Sequence, residues 1–157
     1  MDRMDFQRVL DAYGGLVSRI ARARMINAED VEDILQDVFL TYARKQPVFP
    51  NEAAERVWFI RTTSNFCKMK WRTIQRHAVE PLELANEVAA DQADYTELRE
   101  AFSRLPEKYS RPMELFYFAD LPADEVGRIL GVSVNAVYIR LSRGRELLKN
   151  WLKDETR

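Results

Sequence analysis

The spacing of apolar residues predicts two long helices in the first half of the chain. Apolar residues recur there at intervals of three and four, as the buried face of an α-helix requires. The first such stripe consists of Val31, Ile34, Leu35, Val38, Phe39 and Tyr42. Pro47 and Pro50 then interrupt the chain, and a second helical pattern runs from about residue 51 to residue 76.

The two faces of the second predicted helix differ in chemistry. One face contains Val57, Ile60, Ser64, Cys67, Trp71 and Ile74. The other face carries cationic and amide side chains at intervals of three or four, namely Arg61, Asn65, Lys68, Arg72 and Arg76. Because Trp58, Phe59, Phe66 and Trp71 are interleaved with these cations, the helix combines aromatic rings with positive charge, as single-stranded nucleic-acid sites do. A solvated helix face and a packed aromatic core are the structural alternatives.

The last third of the chain has the spacing of a helix-turn-helix. Helical patterns over residues 123–130 and 134–148 are joined by the short connection Gly131-Val132-Ser133. We expect Gly131 to end the first helix and Ser133 to cap the second. The core between the two helices is predicted to contain Val126, Ile129, Leu130, Val132, Val137 and Leu141. The second helix is predicted to contact bases and phosphates through Asn135, Tyr138, Arg140, Ser142, Arg143 and Arg145.

An acidic segment separates these two helical blocks. Residues 79–92 contain no aromatic side chain, and residues 79–97 carry six acidic side chains and no basic one. We interpret residues 79–95 as a linker. Because no stretch alternates apolar and polar residues as a strand does, the sequence predicts an all-α protein with two small helical domains, residues 1–78 and residues 96–157.

Composition narrows the possible functions. The 157 residues include one cysteine and one histidine, too few for an intramolecular disulfide or a Cys/His zinc site. Asp33 and Asp37 could be considered as metal ligands, but no second convergent Glu/His set accompanies them. We therefore predict no metal site, no cofactor and no enzymatic activity. No apolar run is long enough for a membrane helix, so we expect a cytoplasmic protein that does not insert into a membrane.

The sequence resembles the sigma-70 superfamily and, within it, the extracytoplasmic-function (ECF) sigma factors. Residues 30–44, from Asp-Val-Glu-Asp to Tyr-Ala-Arg, are similar to region 2.2, the helix that binds the clamp helices of the polymerase beta-prime subunit. The resemblance implies that contact for Asp33, Gln36, Asp37, Phe39 and Leu40.

A second segment, Arg-Val-Trp-Phe-Ile-Arg-Thr-Thr-Ser-Asn at residues 56–65, resembles regions 2.3 and 2.4, which melt and read the minus-ten element. In that family the loop before this helix and its asparagine help to capture a flipped base of the non-template strand, which implies this role for Asn65 and Phe49. The minus-ten surface is predicted to contain Phe49, Trp58, Arg61, Asn65, Lys68 and Arg72.

The helix-turn-helix block resembles region 4, which reads the minus-thirty-five element as duplex and contacts the polymerase beta flap. This chain departs from the family pattern at the start of the second helix, where it has Ala136-Val137-Tyr138-Ile139. An exposed Ile139 there indicates an altered minus-thirty-five sequence or a partner surface. Pro122 also replaces the usual capping serine, so we expect a fixed turn without a side-chain cap.

The resemblance therefore implies a sigma factor that binds core RNA polymerase, opens promoter DNA and is controlled by an anti-sigma factor. The alternative is a helix-turn-helix DNA-binding regulator that has lost polymerase-dependent initiation. The altered start of the recognition helix is the only sequence feature that favours this alternative.

Overall fold

The computed structural model describes residues 3–76 and 93–155, and side chains within residues 3–74 and 96–153. Among these residues the regular structure is entirely helical, which confirms the predicted all-α class. The chain divides into two compact units, Met1–Leu82 and Glu83–Arg157. Residues 79–92 of the predicted linker lie outside the described residues, and its last three residues belong to a helix that begins at Ala93.

Within its described residues, the first unit consists of three helices that all contact one another: α1 (Arg3–Arg24), α2 (Ala28–Lys45) and α3 (Glu52–Arg76). The apolar spacing predicted α2 and α3, whereas α1 was not predicted from the sequence. The Asn27 side chain accepts a hydrogen bond of 2.8 Å from the Asp30 amide and so caps α2. In the same way, Asn51 accepts a bond of 2.9 Å from the Ala54 amide at the start of α3.

An aromatic cluster forms the core of this unit around Phe59, which is fully buried. The Tyr13 ring stacks on Phe59 with a centroid distance of 4.4 Å. The rings of Phe39 and Tyr42 on α2 lie 5.6 and 5.4 Å from it. The cluster therefore joins all three helices. Aromatic rings are suited to this because they bury more apolar area than other side chains.

A buried arginine joins α1 to α3 at the other end of the unit. Arg24 is only 2% exposed, and its Nη1 donates a hydrogen bond of 3.0 Å to Ser64 Oγ. The Trp71 indole Nε1 donates a bond of 2.8 Å to the Arg24 carbonyl. Cys67 is fully buried on the same face of α3, as its apolar spacing predicted.

The second unit contains α4 (Ala93–Arg104), α5 (Glu107–Met113), a π-helical segment (Glu114–Phe118), α6 (Ala123–Leu130) and α7 (Val134–Glu155). Helix α7 contacts α4, α5 and α6. A Cβ atom on Gly144 would lie 2.7 Å from Met113 Sδ, so the absence of a side chain lets α7 approach α5 closely.

The predicted helix-turn-helix is present in this unit. Helix α6 ends at Gly131, whose φ of 71° is left-handed, and Ser133 Oγ accepts a hydrogen bond of 3.1 Å from the Ala136 amide. Pro122 precedes α6 without a side-chain cap, as expected. Val126, Val137 and Leu141 are almost completely buried between the helices. Helix α7 continues beyond its predicted end at residue 148 to Glu155.

Candidate docking and nucleic-acid surfaces

Four of the five residues predicted for polymerase docking share one accessible face of α2. Gln36 and Asp37 are exposed, and Leu40 is 62% exposed. Asp33 lies one turn before Asp37, and its side chain is about half exposed. The face therefore combines carboxylates and an amide with one uncovered apolar side chain.

Phe39 is not part of this accessible face. It is 5% exposed, and its ring packs edge-on against Phe6 and tilted against Phe59. The expectation that Phe39 touches a partner is therefore corrected, because its apolar surface is already covered by the aromatic core. Its role is to support the helix that carries the exposed residues.

The carboxylate of Asp33 is held by a lysine from α3. Lys70 Nζ lies 3.0 Å from Asp33 Oδ2 and 3.6 Å from Asp30 Oδ1. The hydrogen bond to Asp33 raises the pKa of Lys70, although burial opposes the increase. This interhelical ion pair was not predicted from the sequence, because 37 positions separate Lys70 from Asp33.

The cationic stripe predicted on α3 lies on the side opposite its buried face. Arg61, Asn65 and Arg72 are exposed, and Lys68 is half-buried. The aromatic residues interleaved with this stripe have different fates. Phe59 and Trp71 are buried in the core, whereas Trp58 and Phe66 remain partly exposed. The packed-core alternative therefore holds for Phe59 and Trp71 only.

Trp58 links the stripe to the loop between α2 and α3. Its ring lies 6.2 Å from the Phe49 ring and 5.7 Å from the Tyr42 ring. Phe49 and Trp58 are each partly exposed, so both predicted minus-ten aromatics have a free edge. The structure thus places these two residues together.

A cavity of about 520 Å³ opens where this loop meets the starts of α1 and α3. Its lining includes Arg8, Tyr42, Phe49, Asn51, Glu52 and Glu55. Asn65 does not line the cavity, so the structure does not bring the two residues predicted to capture a base into one pocket. The lining combines aromatic rings with amide and carboxylate groups.

One wall of the cavity is an ion pair between the half-exposed Arg8 and the buried Glu55, which no local sequence pattern predicted. Arg8 donates to both Glu55 oxygens, at 3.2 and 3.1 Å, and the Tyr13 hydroxyl donates to Glu55 Oε1 at 2.8 Å. The hydrogen bond from Arg8 lowers the pKa of the Glu55 carboxyl, and the bond from Tyr13 lowers it further, against the effect of burial. Burial, with the hydrogen bond to Glu55, raises the pKa of Tyr13 to about 12.

The outer side of α7 presents the predicted duplex-reading residues. Asn135, Tyr138, Ser142, Arg143 and Arg145 are exposed, and Arg140 is partly exposed. Ile139 is 44% exposed among them, as expected from its position. Arg145 Nη1 also donates a hydrogen bond of 2.6 Å to the hydroxyl of Tyr117 in the π-helical segment, a contact that no local pattern indicates.

The described residues contain no cluster of three or more His, Cys, Asp or Glu side chains able to hold a metal ion. None of the helices within the described ranges is both long and apolar enough to cross a membrane.

These features define a two-unit helical protein with a helix-turn-helix in its second unit. Residues 9–77 match the family described as Sigma-70 region 2, and residues 95–148 match Sigma-70, region 4. The two matches cover most of the chain, in the order that the motifs predicted. The chain belongs to the sigma-70 family and, within it, to the ECF group, so it is a sigma factor that directs transcription initiation by RNA polymerase.

Curated relatives agree with this assignment. The chain is 28% identical over 155 residues to RNA polymerase sigma factor SigZ of Bacillus subtilis, covering 96% of this chain and 88% of SigZ. It is also 28% identical over 154 residues to ECF RNA polymerase sigma factor SigM of Mycobacterium tuberculosis, covering 96% of this chain and 79% of SigM. Both relatives are named as RNA polymerase sigma factors.

Two solved structures share the fold. CnrH, in complex with the cytosolic domain of CnrY, aligns with a TM-score of 0.61 and 22% identity over 98% of this chain and 90% of that chain. The sigma factor RpoE of Bartonella quintana, in complex with the anti-sigma factor NepR, aligns with a TM-score of 0.57 and 18% identity over 95% of this chain and 97% of that chain.

Proposed function

We propose that this sigma factor binds core RNA polymerase through the exposed face of α2, melts the minus-ten element with α3 and reads the minus-thirty-five element with α7. It acts in the cytoplasm and catalyses no covalent reaction itself. Residues 1–78 form the unit for docking and melting, and residues 96–157 form the unit for duplex reading. The observation that best supports this proposal is the cationic stripe of α3, which is accessible, whereas its aromatic neighbours Phe59 and Trp71 are buried in the core.

The docking surface on α2 is defined by Asp33, Gln36, Asp37 and Leu40. Leu40 supports docking most directly, because an aliphatic side chain that is 62% exposed gains free energy when a partner covers it. The carboxylates around it favour a partner surface with complementary positive charge. The clamp helices of the beta-prime subunit are the proposed partner, and the beta flap is proposed for the second unit.

The minus-ten surface is proposed to act in two parts. Arg61, Lys68 and Arg72 neutralise phosphates of the non-template strand, which contributes affinity but little sequence preference. Asn65 and the partly exposed rings of Trp58 and Phe49 hold unstacked bases. Extrusion of a base costs a few kcal/mol, so the rings must replace the lost stacking.

The test is transcription and promoter opening by the purified full chain with bacterial core polymerase on a library of candidate promoters. Asn65→Ala is expected to weaken promoter opening while polymerase binding is unchanged. Leu40→Asp is expected to abolish polymerase binding while the circular-dichroism spectrum is unchanged. Normal opening by Asn65→Ala would remove the base-capture role. Duplex binding without polymerase binding by the wild-type chain would instead favour the stand-alone regulator.

An anti-sigma factor is proposed as the regulatory partner. Both solved relatives named above are held by a partner protein, and NepR is described as an anti-sigma factor. In this chain the exposed face of α2 is the surface that such a protein must cover to prevent polymerase binding. A cognate anti-sigma factor is expected to release the chain from core polymerase in a competition assay. A Leu40→Asp chain that bound the inhibitor as well as wild type would place the inhibitor elsewhere.

A further inference from the structure

Ile139 is an aliphatic residue on a polar, exposed helix face. It lies one turn after Asn135 and one turn before Arg143, and both of these neighbours are exposed. The opposite side of α7 is fixed by Val137 and Leu141, which are 0% and 1% exposed in the core. Because the core sets the rotation of the helix, Ile139 must point away from the unit, and its 44% exposure agrees with that.

The position of Ile139 along α7 is that of a base-contacting residue. The Ser133 cap marks the start of the helix, so Asn135 and Ile139 belong to its first two turns. In a helix-turn-helix the beginning of the second helix enters the major groove of duplex DNA. Arg140 and Arg143 flank Ile139, and their charge suits a DNA backbone better than an apolar protein surface.

The chemistry of the major groove limits what an isoleucine can read. The C5-methyl group of thymine is the apolar feature of the base edges there, whereas the side-chain amide of asparagine pairs with N6 and N7 of adenine. We propose that Ile139 is a specificity-determining residue that packs on a thymine C5-methyl group in the minus-thirty-five element, next to an adenine read by Asn135. This proposal rests on the proposed duplex-reading role of α7.

The test replaces thymine by uracil, which differs from it only by that methyl group. The full chain with bacterial core polymerase first selects duplexes from a library randomised across the minus-thirty-five region. Each thymine of the selected duplex is then changed singly to uracil, and affinity is measured. One such change is expected to weaken wild-type binding about fourfold, the effect of removing one methyl group from a buried contact.

Matched variants test whether Ile139 is the residue that contacts this methyl group. Ile139→Ala is expected to lose a similar factor on the thymine duplex and to bind the thymine and uracil duplexes equally. Leu147→Ala is the control, because Leu147 is a similarly exposed aliphatic residue of α7, at 42%, that lies two turns further along the helix, away from its beginning. It is expected to keep the thymine preference.

The outcomes separate this proposal from the proposed function. Selection of no minus-thirty-five sequence by the polymerase complex would refute duplex reading by α7 itself. Selection of a sequence whose thymines all tolerate uracil, or a thymine preference that persists in Ile139→Ala, would overturn the role of Ile139 alone. In that case the exposed isoleucine belongs to a protein contact.

Discussion

Tyr117 and Arg145 are joined by a hydrogen bond of 2.6 Å between the phenol oxygen and Arg145 Nη1. The bond connects the π-helical segment to the outer side of α7, and both side chains are exposed. Tyr117 therefore restricts the rotamers of an arginine that is proposed to contact DNA. A guanidinium that is already oriented loses less conformational entropy when it binds a phosphate.

Tyr117→Phe is expected to reduce affinity for the minus-thirty-five duplex about twofold to fourfold, because the Arg145 side chain then loses more conformational entropy when it binds. The salt dependence should not change, because Arg145 keeps its charge. Arg145→Ala is expected to lower the salt slope by about one. In the Arg145→Ala background Tyr117→Phe should have no further effect on affinity. An additive loss in the double variant would show that Tyr117 acts independently of Arg145.

Gly127→Ala is expected to destabilise the second unit by about 1–3 kcal/mol, the usual cost of forcing an extra carbon into packed structure. A Cβ atom there would lie 2.7 Å from the Val132 carbonyl oxygen, a backbone atom of the helix-turn-helix connection. Helix propensity alone predicts the opposite sign. Gly15→Ala is the control, because no atom other than its immediate neighbours in the helix lies within 4 Å of its new Cβ. It is expected to stabilise α1 by about 0.5–1 kcal/mol. Urea unfolding followed by circular dichroism measures both changes.

Glu55 is expected to make the first unit sensitive to acid. Its pKa is lowered in the folded state, so the stabilising contribution is present above its ordinary pKa of 4.5 and is lost as the pH falls through the folded pKa. Glu55→Gln is expected to cost about 1–2 kcal/mol at neutral pH, a figure reduced because Arg8 is half exposed, and to flatten the acid dependence.

The measurement can be confined to the first unit by replacing the tryptophan of the second. In a Trp151→Phe background, Trp58 and Trp71 are the only tryptophans of the chain and both report on the first unit. Their fluorescence during urea unfolding at pH 3–7 gives the stability curve. Parallel curves for the wild-type and Glu55→Gln proteins would contradict the assigned role of the carboxylate.

Lys70→Met is expected to raise affinity for core polymerase about twofold to fivefold, because Asp33 would no longer have to leave an intramolecular partner. The free energy of unfolding should change little, since such partly exposed ion pairs contribute about 0–1 kcal/mol to it. Asp33→Asn provides the comparison and is expected to weaken polymerase binding. If Lys70→Met weakened binding to the same extent, Lys70 would instead orient the carboxylate for docking.

Features of this chain that depend on residues close together in the sequence were determined by the sequence alone. The stripe from Val31 to Tyr42 identified α2, and Gly131 and Ser133 marked the end of α6 and the start of α7. Helical spacing and capping involve groups three or four positions apart, so their pattern is readable before the chain folds. The order of the motifs then identified the family.

Only the tertiary structure decided which apolar residues stay accessible and which distant polar groups meet. The family resemblance grouped Phe39 with the docking residues around it, yet packing against Phe59 buries it and leaves Leu40 exposed. Arg8 reaches Glu55 across 47 positions, and Arg24 reaches Ser64 across 40. Such contacts depend on the angle and distance at which helices pack, and these are set jointly by many side chains rather than by any local pattern.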